Sequence, residues 1–188
     1  MEHFSDLDMY YFGQATHYDI YKKLGAHPIV EKGKKGVYFA VWAPNAEKVS
    51  VIGTFNKWQE DANEMERLEP MGIYELFVPE ASEGDLYKFY IETPEGEKLY
   101  KADPFANYAE LRPGNASAVT DINSFKWTDK KWMEKRKACK DIHMQPMAIY
   151  EVHPGSWMRH PGREDEGFYS YRELAVRLTE YVKEMGYT

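Results

Sequence analysis

The sequence has almost no cysteine and no long apolar run. Cys139 is the single cysteine among 188 residues, so no disulfide can form within the chain, as is typical of proteins from a reducing compartment. No stretch approaches the ~20 apolar residues of a membrane span, and residues 1–10 lack the apolar core of a signal peptide. We therefore expect a soluble, cytoplasmic protein without a membrane partner.

Basic charge is also scarce. The sequence has 31 acidic and 24 basic residues, which gives a net charge of −7. Proteins that bind nucleic acids usually carry a basic surplus because they neutralise phosphates, so we exclude nucleic acid as a partner. The six histidines and the cysteine show no metal-ligand spacing, and no glycine-rich phosphate loop follows a strand. We therefore predict no metal and no cofactor.

Aromatic residues, by contrast, are abundant, and many lie in short alternating runs. Short strands separated by turn signals about every ten residues are typical of an antiparallel sandwich of immunoglobulin-like type. The same alternation predicts that Trp42 is a core residue. Before these strands, Tyr18, Tyr21 and Leu24 recur at helical spacing and Gly25 is suited to end the helix. The predicted strands cover residues 37–42, 49–53, 73–78, 86–92, 98–101 and, more weakly, 117–120.

The character of the sequence changes after Trp127. Residues 129–139 are good helix formers and predict a helical connector. Pro146 then precedes an apolar run at residues 147–153, which predicts a buried strand. From this point the chain no longer follows the pattern of a sandwich.

A polar loop at residues 159–167 leads into the clearest helix signal of the sequence. Ser170 and Glu173 have the spacing of a capping box, and the apolar stripe that follows ends at Gly186. A strand, a loop and an amphipathic helix in this order form the first half of a βαβ unit. The sequence therefore predicts a β-sandwich followed by the start of an α/β fold.

Two ordered stretches carry a resemblance to a known family. GVYFAVWAPNA at residues 36–46 and VSVIGTFNKW at residues 49–58 resemble the family-48 carbohydrate-binding module, and YKF at residues 87–89 fits a later strand of it. This module is a β-sandwich that precedes the catalytic barrel of branching and debranching enzymes, and it also occurs in regulatory subunits that sense glycogen. The module alone does not distinguish these proteins.

The flanking sequences resemble 1,4-α-glucan (glycogen) branching enzymes. They are THYDIYKKLGAH at residues 16–27, KADPFANYAELRPGNAS at residues 101–117 and YEVHPGSW at residues 150–157. Isoamylase-type debranching enzymes and maltooligosyltrehalose hydrolases share the opening of the last motif but usually lack its Gly-Ser-Trp ending. A free-standing glycan-binding module and the front end of an isoamylase-type debranching enzyme stay open as alternatives.

The resemblance implies four segments and an activity. They are a helical leader (residues 1–27), the module (28–125), a helical connector (126–146) and the first β/α unit of a truncated α-amylase-type (β/α)8 barrel (147–188). Branching enzymes cleave α-1,4-glucan and transfer the chain to a 6-hydroxyl by retaining chemistry, with two carboxylates on later barrel strands. We therefore expect no catalytic residue in this chain and an α-glucan as its partner; the sequence leaves the oligomeric state open.

The resemblance also implies a sugar-binding site. Trp58, Lys88 and Asn115 match positions that line the site of glycogen-sensing relatives, where a ring stacks on sugars and polar groups bond the hydroxyls. Those relatives carry a second Trp on the hairpin after Gly96, and this sequence has Glu-Lys-Leu there, which predicts an incomplete stacking platform. His153 and Ser156 offer a base and a hydroxyl, but neighbours on an extended chain point apart, so a hydrolytic pair is not expected.

Overall fold

Two antiparallel sheets face each other in the first part of the chain. The computed structural model describes residues 3–162 and 167–188 and separates into two units, Met1–Lys126 and Trp127–Thr188. The first sheet comprises β1 (Gly25–Glu31), β2 (Lys34–Trp42), β4 (Glu66–Leu68) and β5 (Ile73–Val78). The second comprises β3 (Lys48–Gly53), β6 (Leu86–Glu92), β7 (Lys98–Lys101), β8 (Tyr108–Ala109) and β9 (Ser117–Ala118). The strand order is β1-β2-β5-β4 in the first sheet and β3-β6-β9-β8 in the second, with β7 beside β6.

The core between the sheets follows from the alternation in the sequence. Residues on one face of each strand point inward, as β-strand geometry requires, and these side chains are buried. The main members of this core are Val37, Phe39, Val41, Val49, Val51, Tyr74, Val78, Tyr87, Phe89 and Val119. The predicted mainly β, immunoglobulin-like architecture of the module is therefore confirmed.

The leader covers the outer face of the first sheet. Helix α1 (Asp6–Gly13) is capped at its amino terminus by Ser5, whose hydroxyl accepts a hydrogen bond from the Asp8 amide at 3.2 Å. A second apolar cluster lies between this leader and the sheet, and it includes Phe4, Leu24, Tyr38, Ala40 and Ile73. The first sheet is therefore buried on both faces over much of its area.

The helical character predicted for residues 1–25 is confirmed by α1, but the helical spacing of Tyr18, Tyr21 and Leu24 does not correspond to a helix. Only a 3-10 turn, Ile20–Lys22, forms there, and Gly25 starts β1 instead of ending a helix. The cause is the pairing of β1 with β2, in which Gly25 lies opposite Ala40. Inter-strand hydrogen bonds and the burial of Leu24 override the weak local helical pattern.

Trp42 is not a core residue. It is the last residue of β2, and 54% of it is exposed. The ring packs edge-on against Phe12 with centroids 5.7 Å apart, and Nε1 donates to the carbonyl of Met71 at 2.9 Å. Helix α1 ends at Gly13, so the leader covers Tyr38 and Ala40 on this strand face but leaves Trp42 half open.

The second unit is helical. Helix α2 (Lys130–Ala138) confirms the predicted connector helix. Two further helices follow, α3 (Pro154–Trp157) and α4 (Tyr171–Glu184), and α4 has the predicted capping box between Ser170 and Glu173. Of the predicted loop at residues 159–167, residues 163–166 lie outside the described residues.

Residues 147–153 do not form a strand in this structure. Ala148 exchanges two hydrogen bonds with Thr188: its carbonyl accepts from the Thr188 amide at 3.1 Å, and its amide donates to Thr188 Oγ1 at 2.9 Å. No described residues pair with the rest of this segment in a ladder, and Met147 and Ile149 are exposed. An apolar segment without neighbouring strands cannot form the pairing that defines a strand.

None of the described helices has the length and apolar character of a membrane span. The residues of 3–162 and 167–188 also contain no group of three or more His, Cys, Asp or Glu side chains placed to share a metal ion.

Candidate functional site

A tight loop after β3 presents Trp58. The strand ends at Gly53, a 3-10 turn covers Thr54–Asn56, and Lys57 and Trp58 then adopt left-handed backbone angles, with φ of 56° and 62°. Such angles are unusual for residues other than glycine and asparagine and require support from their surroundings. The ring of Trp58 is 39% exposed, so the loop displays part of a large apolar face at the end of the second sheet.

The side chain of Asn56 holds this loop. Its Oδ1 accepts hydrogen bonds from the amide of Gly53 at 2.9 Å and from the amide of Trp58 at 3.1 Å. Its Nδ2 donates to the carbonyl of Val51 at 3.0 Å and to Oδ1 of Asn63 at 2.7 Å. Two of these bonds reach β3, at Val51 and Gly53, one holds the amide of Trp58, and one reaches Asn63 farther along the loop. Together they fix the backbone of Trp58.

Lys88 and Asn115 meet on the outer face of the second sheet. On β6, Lys88 lies between Tyr87 and Phe89, which both point into the core, so its own side chain points outward. Lys88 Nζ donates to Asn115 Oδ1 at 2.5 Å. The loop that carries Asn115 is closed by Glu110, whose carboxylate accepts from the amide of Ala116 at 3.2 Å.

Strand register places the three predicted site residues at one end of the second sheet. Gly53 of β3 lies opposite Tyr87 of β6, and Tyr87 in turn lies opposite Ser117 of β9. Trp58, Lys88 and Asn115 each lie within five residues of this row. Lys88 and Asn115 are in direct contact, whereas the side chain of Trp58 makes no hydrogen bond to either of them among the described residues.

Tyr100 is a residue of this face that the sequence interpretation missed. It lies on β7 opposite Tyr90, and its ring is 49% exposed. Because Tyr90 and Lys88 are two residues apart on β6, Tyr100 belongs to the same sheet face as Lys88. Residues 97–99 of the hairpin carry no ring, but Tyr100, which follows them directly, offers one on this face. The pairing of two alternating strands across a short turn was the signal that could have revealed it.

Charged groups surround the rings on this face. Lys98 Nζ contacts the Glu60 carboxylate at 2.9 Å, and the Tyr100 hydroxyl donates to the same carboxylate. The hydrogen bond from Tyr100, together with that from Lys98, lowers the pKa of Glu60, while the bond to Glu60 raises the pKa of Lys98. The face therefore combines flat apolar rings with charged donors and acceptors, a chemistry that suits a ligand with apolar faces and many hydroxyls.

The motif at residues 150–157 is a local structure in the second unit. Its first and last residues meet, since Trp157 Nε1 donates to the Tyr150 hydroxyl at 2.7 Å. His153 Nδ1 also lies 3.1 Å from Ser156 Oγ, because the chain turns into α3 at this point. The expectation that these two side chains point apart is therefore wrong. Both are exposed, and no described carboxylate hydrogen-bonds the other ring nitrogen, so the orienting group of a hydrolytic triad is missing.

The sandwich is similar to a family of carbohydrate-binding modules. Residues 23–106 match the family model of carbohydrate-binding module 48, the isoamylase N-terminal domain. The whole chain is 60% identical over 184 residues to a 1,4-alpha-glucan branching enzyme of Butyrivibrio fibrisolvens, which covers 98% of this chain and 29% of that enzyme. It is 51% identical over 185 residues to the enzyme of the same name from Gloeobacter violaceus, with coverage of 98% and 25%. Over nearly its whole length, the chain is therefore similar to the amino-terminal part of the 1,4-alpha-glucan branching enzymes.

A solved structure shows the same fold. The chain matches the crystal structure of a Salmonella typhimurium protein, provisionally assigned as an alpha amylase, with a TM-score of 0.60 and 25% identity. The match covers 88% of this chain and 23% of that protein. The chain thus spans only 25% to 29% of the two branching enzymes above, and a similar share of this structural relative.

Proposed function

We propose that this chain is the amino-terminal part of an enzyme that cleaves α-1,4-glucan and transfers the freed chain to a 6-hydroxyl, and that its module holds the α-glucan. The observation that carries this proposal is the 60% identity over 98% of the chain to a protein named as a branching enzyme. The module match at residues 23–106 covers less than half of that length. Sequence on both sides of the module therefore supports branching over the other functions that share it.

The two alternatives explain less of the chain. An isoamylase-type debranching enzyme would account for the module, since the family model carries that description, but not for the named relatives across both flanks. A free-standing binding module would have no use for the segment after Pro146, where Met147, Ile149 and Val176 are exposed.

The second unit supports an interpretation as the start of a barrel. From Met147 to Thr188 there are 42 residues, whereas a complete (β/α)8 barrel needs about 250. The two hydrogen bonds between Ala148 and Thr188 bring the chain after α4 back beside the segment before it. In a βαβ unit the second strand runs parallel to the first at this position. We therefore interpret residues 147–153 as a first barrel strand that pairs when its neighbours are present.

The chemistry of branching would lie outside this chain. A retaining enzyme needs one carboxylate as nucleophile and a second as acid and base, and the family resemblance assigns both to later barrel strands. Glu151 is exposed, and it belongs to a segment without strand pairing. A 188-residue polypeptide would accordingly bind glucan without branching it.

Glucan would lie on the outer face of the second sheet. The exposed side of Trp58 would stack on the apolar face of a glucose ring, and Lys88 and Asn115 would bond its hydroxyls. Tyr100 offers a second ring on the same sheet face. Few rings and exposed polar groups give weak complementarity, so we expect an affinity for maltoheptaose in about the millimolar range.

A chimera tests the enzymatic part of the proposal. This chain replaces the matching 184 residues of the Butyrivibrio fibrisolvens enzyme, and branching of amylose is followed by the loss of iodine staining. We expect an active chimera and no activity from the 188-residue chain alone. A folded but inactive chimera, or activity in the isolated chain, would overturn the proposal.

Native gels containing glycogen test the binding part. We expect glycogen to retard the 188-residue chain and the W58A, K88A and N115A variants to lose most of this retardation. W132A is the matched control, because Trp132 is also an exposed tryptophan but lies on α2 in the second unit. Equal retardation of W58A and W132A would exclude this face, and no retardation of the unaltered chain would exclude binding by the module.

A further inference from the structure

Glu60 connects the loop that carries Trp58 to a distant strand. The side chain of Glu60, two residues after Trp58, contacts both Lys98 and Tyr100 of β7. One carboxylate oxygen lies 2.9 Å from Lys98 Nζ, and the other accepts from the Tyr100 hydroxyl. The two contacts join positions 38 and 40 residues apart in sequence.

The strand order shows that this connection crosses the sheet. Strands β3 and β7 lie on opposite sides of β6, so they are separated by about two strand spacings, or roughly 10 Å. The loop leaves β3 and must pass over the outer face of β6 to reach β7. Tyr90 lies beneath it and is buried, with its ring centroid 5.6 Å from that of Tyr100 and 5.6 Å from Lys98 Nζ.

We propose that Glu60 is a positioning residue, which clamps the Trp58 loop onto β7 and thereby holds the rings of Trp58 and Tyr100 in a fixed relation for the glucan. The inference rests on the proposed function, because it assigns Glu60 a role in the same binding face. Glu60 itself need not touch the sugar. It acts through the loop that carries Trp58 and through its hydrogen bond with Tyr100.

The loop is then fixed at both ends of the segment that presents the ring. Asn56 holds the backbone of Trp58 on the strand side, and the side chain of Glu60 attaches the loop to β7 on the hairpin side. A ligand that binds a loop already held in place does not have to order it, so more of the contact energy appears as affinity. Without the clamp, the sugar itself would have to order the loop.

Three variants separate clamping from stacking. In Y100F the ring stays and only the bond to Glu60 is lost, whereas Y100A removes both. In E60Q the shape of the side chain stays but its charge is lost. The matched control is D61N, because Asp61 is the next residue of the loop and pairs with Lys48 of β3 at 3.2 Å, on the side away from β7.

The spectroscopic readout is 19F NMR of protein labelled with 5-fluorotryptophan. The chain has five tryptophans, and the W58F variant assigns the signal of Trp58. We expect E60Q and Y100F to shift or broaden this signal while those of the other four tryptophans stay unchanged, and D61N to leave all five unchanged. An unchanged Trp58 signal in E60Q and Y100F would overturn the clamp.

The functional readout is the affinity for maltoheptaose, followed through the same signals. Exposed charged contacts contribute little individually, so we expect E60Q and Y100F each to weaken binding about three-fold. The double variant E60Q/Y100F should bind almost as well as either single variant, because both substitutions break the same clamp. Additive losses, or unaltered affinity in both single variants, would contradict the inference.

This design separates the two proposals. If the unaltered chain fails to bind maltoheptaose, the proposed function of the face fails, while the 19F spectra still report whether Glu60 holds the loop. If W58A abolishes binding and E60Q leaves both binding and the Trp58 signal unchanged, the binding face stands and the clamp is wrong.

Discussion

Oδ1 of the Asn56 side chain accepts hydrogen bonds from the backbone N–H of Trp58 at 3.1 Å and from that of Gly53 at 2.9 Å. It therefore holds both ends of a turn that contains left-handed residues. Replacement of Asn56 by alanine would remove all four of its hydrogen bonds, while the amide of Trp58 would keep its bond to the carbonyl of Gly53 at 2.9 Å. Because the Asn56 side chain is half-buried and makes four hydrogen bonds, we expect N56A to lower the free energy of unfolding by about 2 kcal/mol. Urea denaturation measures this loss.

Asn115→Ala is the matched control for N56A. Asn115 is exposed, and within the described part of the chain its side chain has one hydrogen bond, from Lys88, so its removal should change the free energy of unfolding by less than about 0.5 kcal/mol. Equal destabilisation by the two variants would mean that the Asn56 network does not hold the Trp58 loop.

A second prediction concerns the buried carboxylate of Asp103. Its Oδ2 accepts from the Tyr87 hydroxyl and its Oδ1 from the amide of Phe105 at 2.8 Å. Burial raises the pKa of Asp103 above its ordinary value of 3.8, and the two hydrogen bonds only partly oppose this shift. A carboxyl group whose pKa rises on folding stabilises the fold most below its unfolded pKa, and this contribution is lost as the pH rises through the folded pKa.

The difference in free energy of unfolding between the unaltered chain and D103N should therefore shrink as the pH rises from about 3 to neutral. The amide that D103N introduces cannot titrate, and the other carboxyl groups cancel in the difference. Urea denaturation of both proteins across this pH range measures it. A difference that grows with pH would mean that Asp103 is stabilised in its charged form, against the dominance of burial.

The strands that the sequence predicts with correct ends are those with strong alternation between turn residues. Ile73–Val78, Leu86–Glu92 and Lys98–Lys101 belong to this group, because Pro79 and the Pro-Glu-Gly turn after Thr93 mark their ends. Strand β1 was missed because it contains Pro28, which is tolerated only where a strand lies at a sheet edge. Position at an edge is a property of the assembled sheet, and local sequence does not contain it.

The residues of the candidate site also divide into those that the sequence could predict and those that it could not. Trp58, Lys88 and Asn115 could be proposed from motifs that resemble a family, and strand pairing then places them at one sheet end. Tyr100 and Glu60 depend on a loop that crosses from β3 to β7 over β6, and their contact spans 40 residues of sequence. Local patterns report neither which loops cross a sheet nor where they attach, so the clamp was not predictable.

Trp42 and Phe39 give a third prediction, because they lie on one strand in contrasting surroundings. Phe39 is fully buried and packs against Phe55 and Tyr87, so F39A should lower the free energy of unfolding by about 4 kcal/mol. Trp42 is half exposed, and W42A should cost about 1 kcal/mol from the loss of its contacts with Phe12 and Met71. Urea denaturation measures both values. Similar losses would mean that Trp42 is a core residue after all.

The last prediction concerns the stability of the second unit in the 188-residue chain. Helix α4 buries a single residue, Leu174, among its fourteen, whereas β2 buries every residue from Gly36 to Val41. Because opening of a helix with so little buried surface exposes few apolar groups, its amides should exchange with solvent close to the rate of an isolated helix. Hydrogen exchange with mass spectrometry should therefore show strong protection in β2, β5 and β6, and at least a hundred-fold less in α4, on the order of a 3 kcal/mol difference in opening free energy.

In the chimera with the Butyrivibrio fibrisolvens enzyme, α4 should become protected, because the barrel would cover Val176 and Met185, which are exposed here. Strong protection of α4 in the isolated chain would contradict the interpretation of residues 147–188 as one incomplete unit of a barrel.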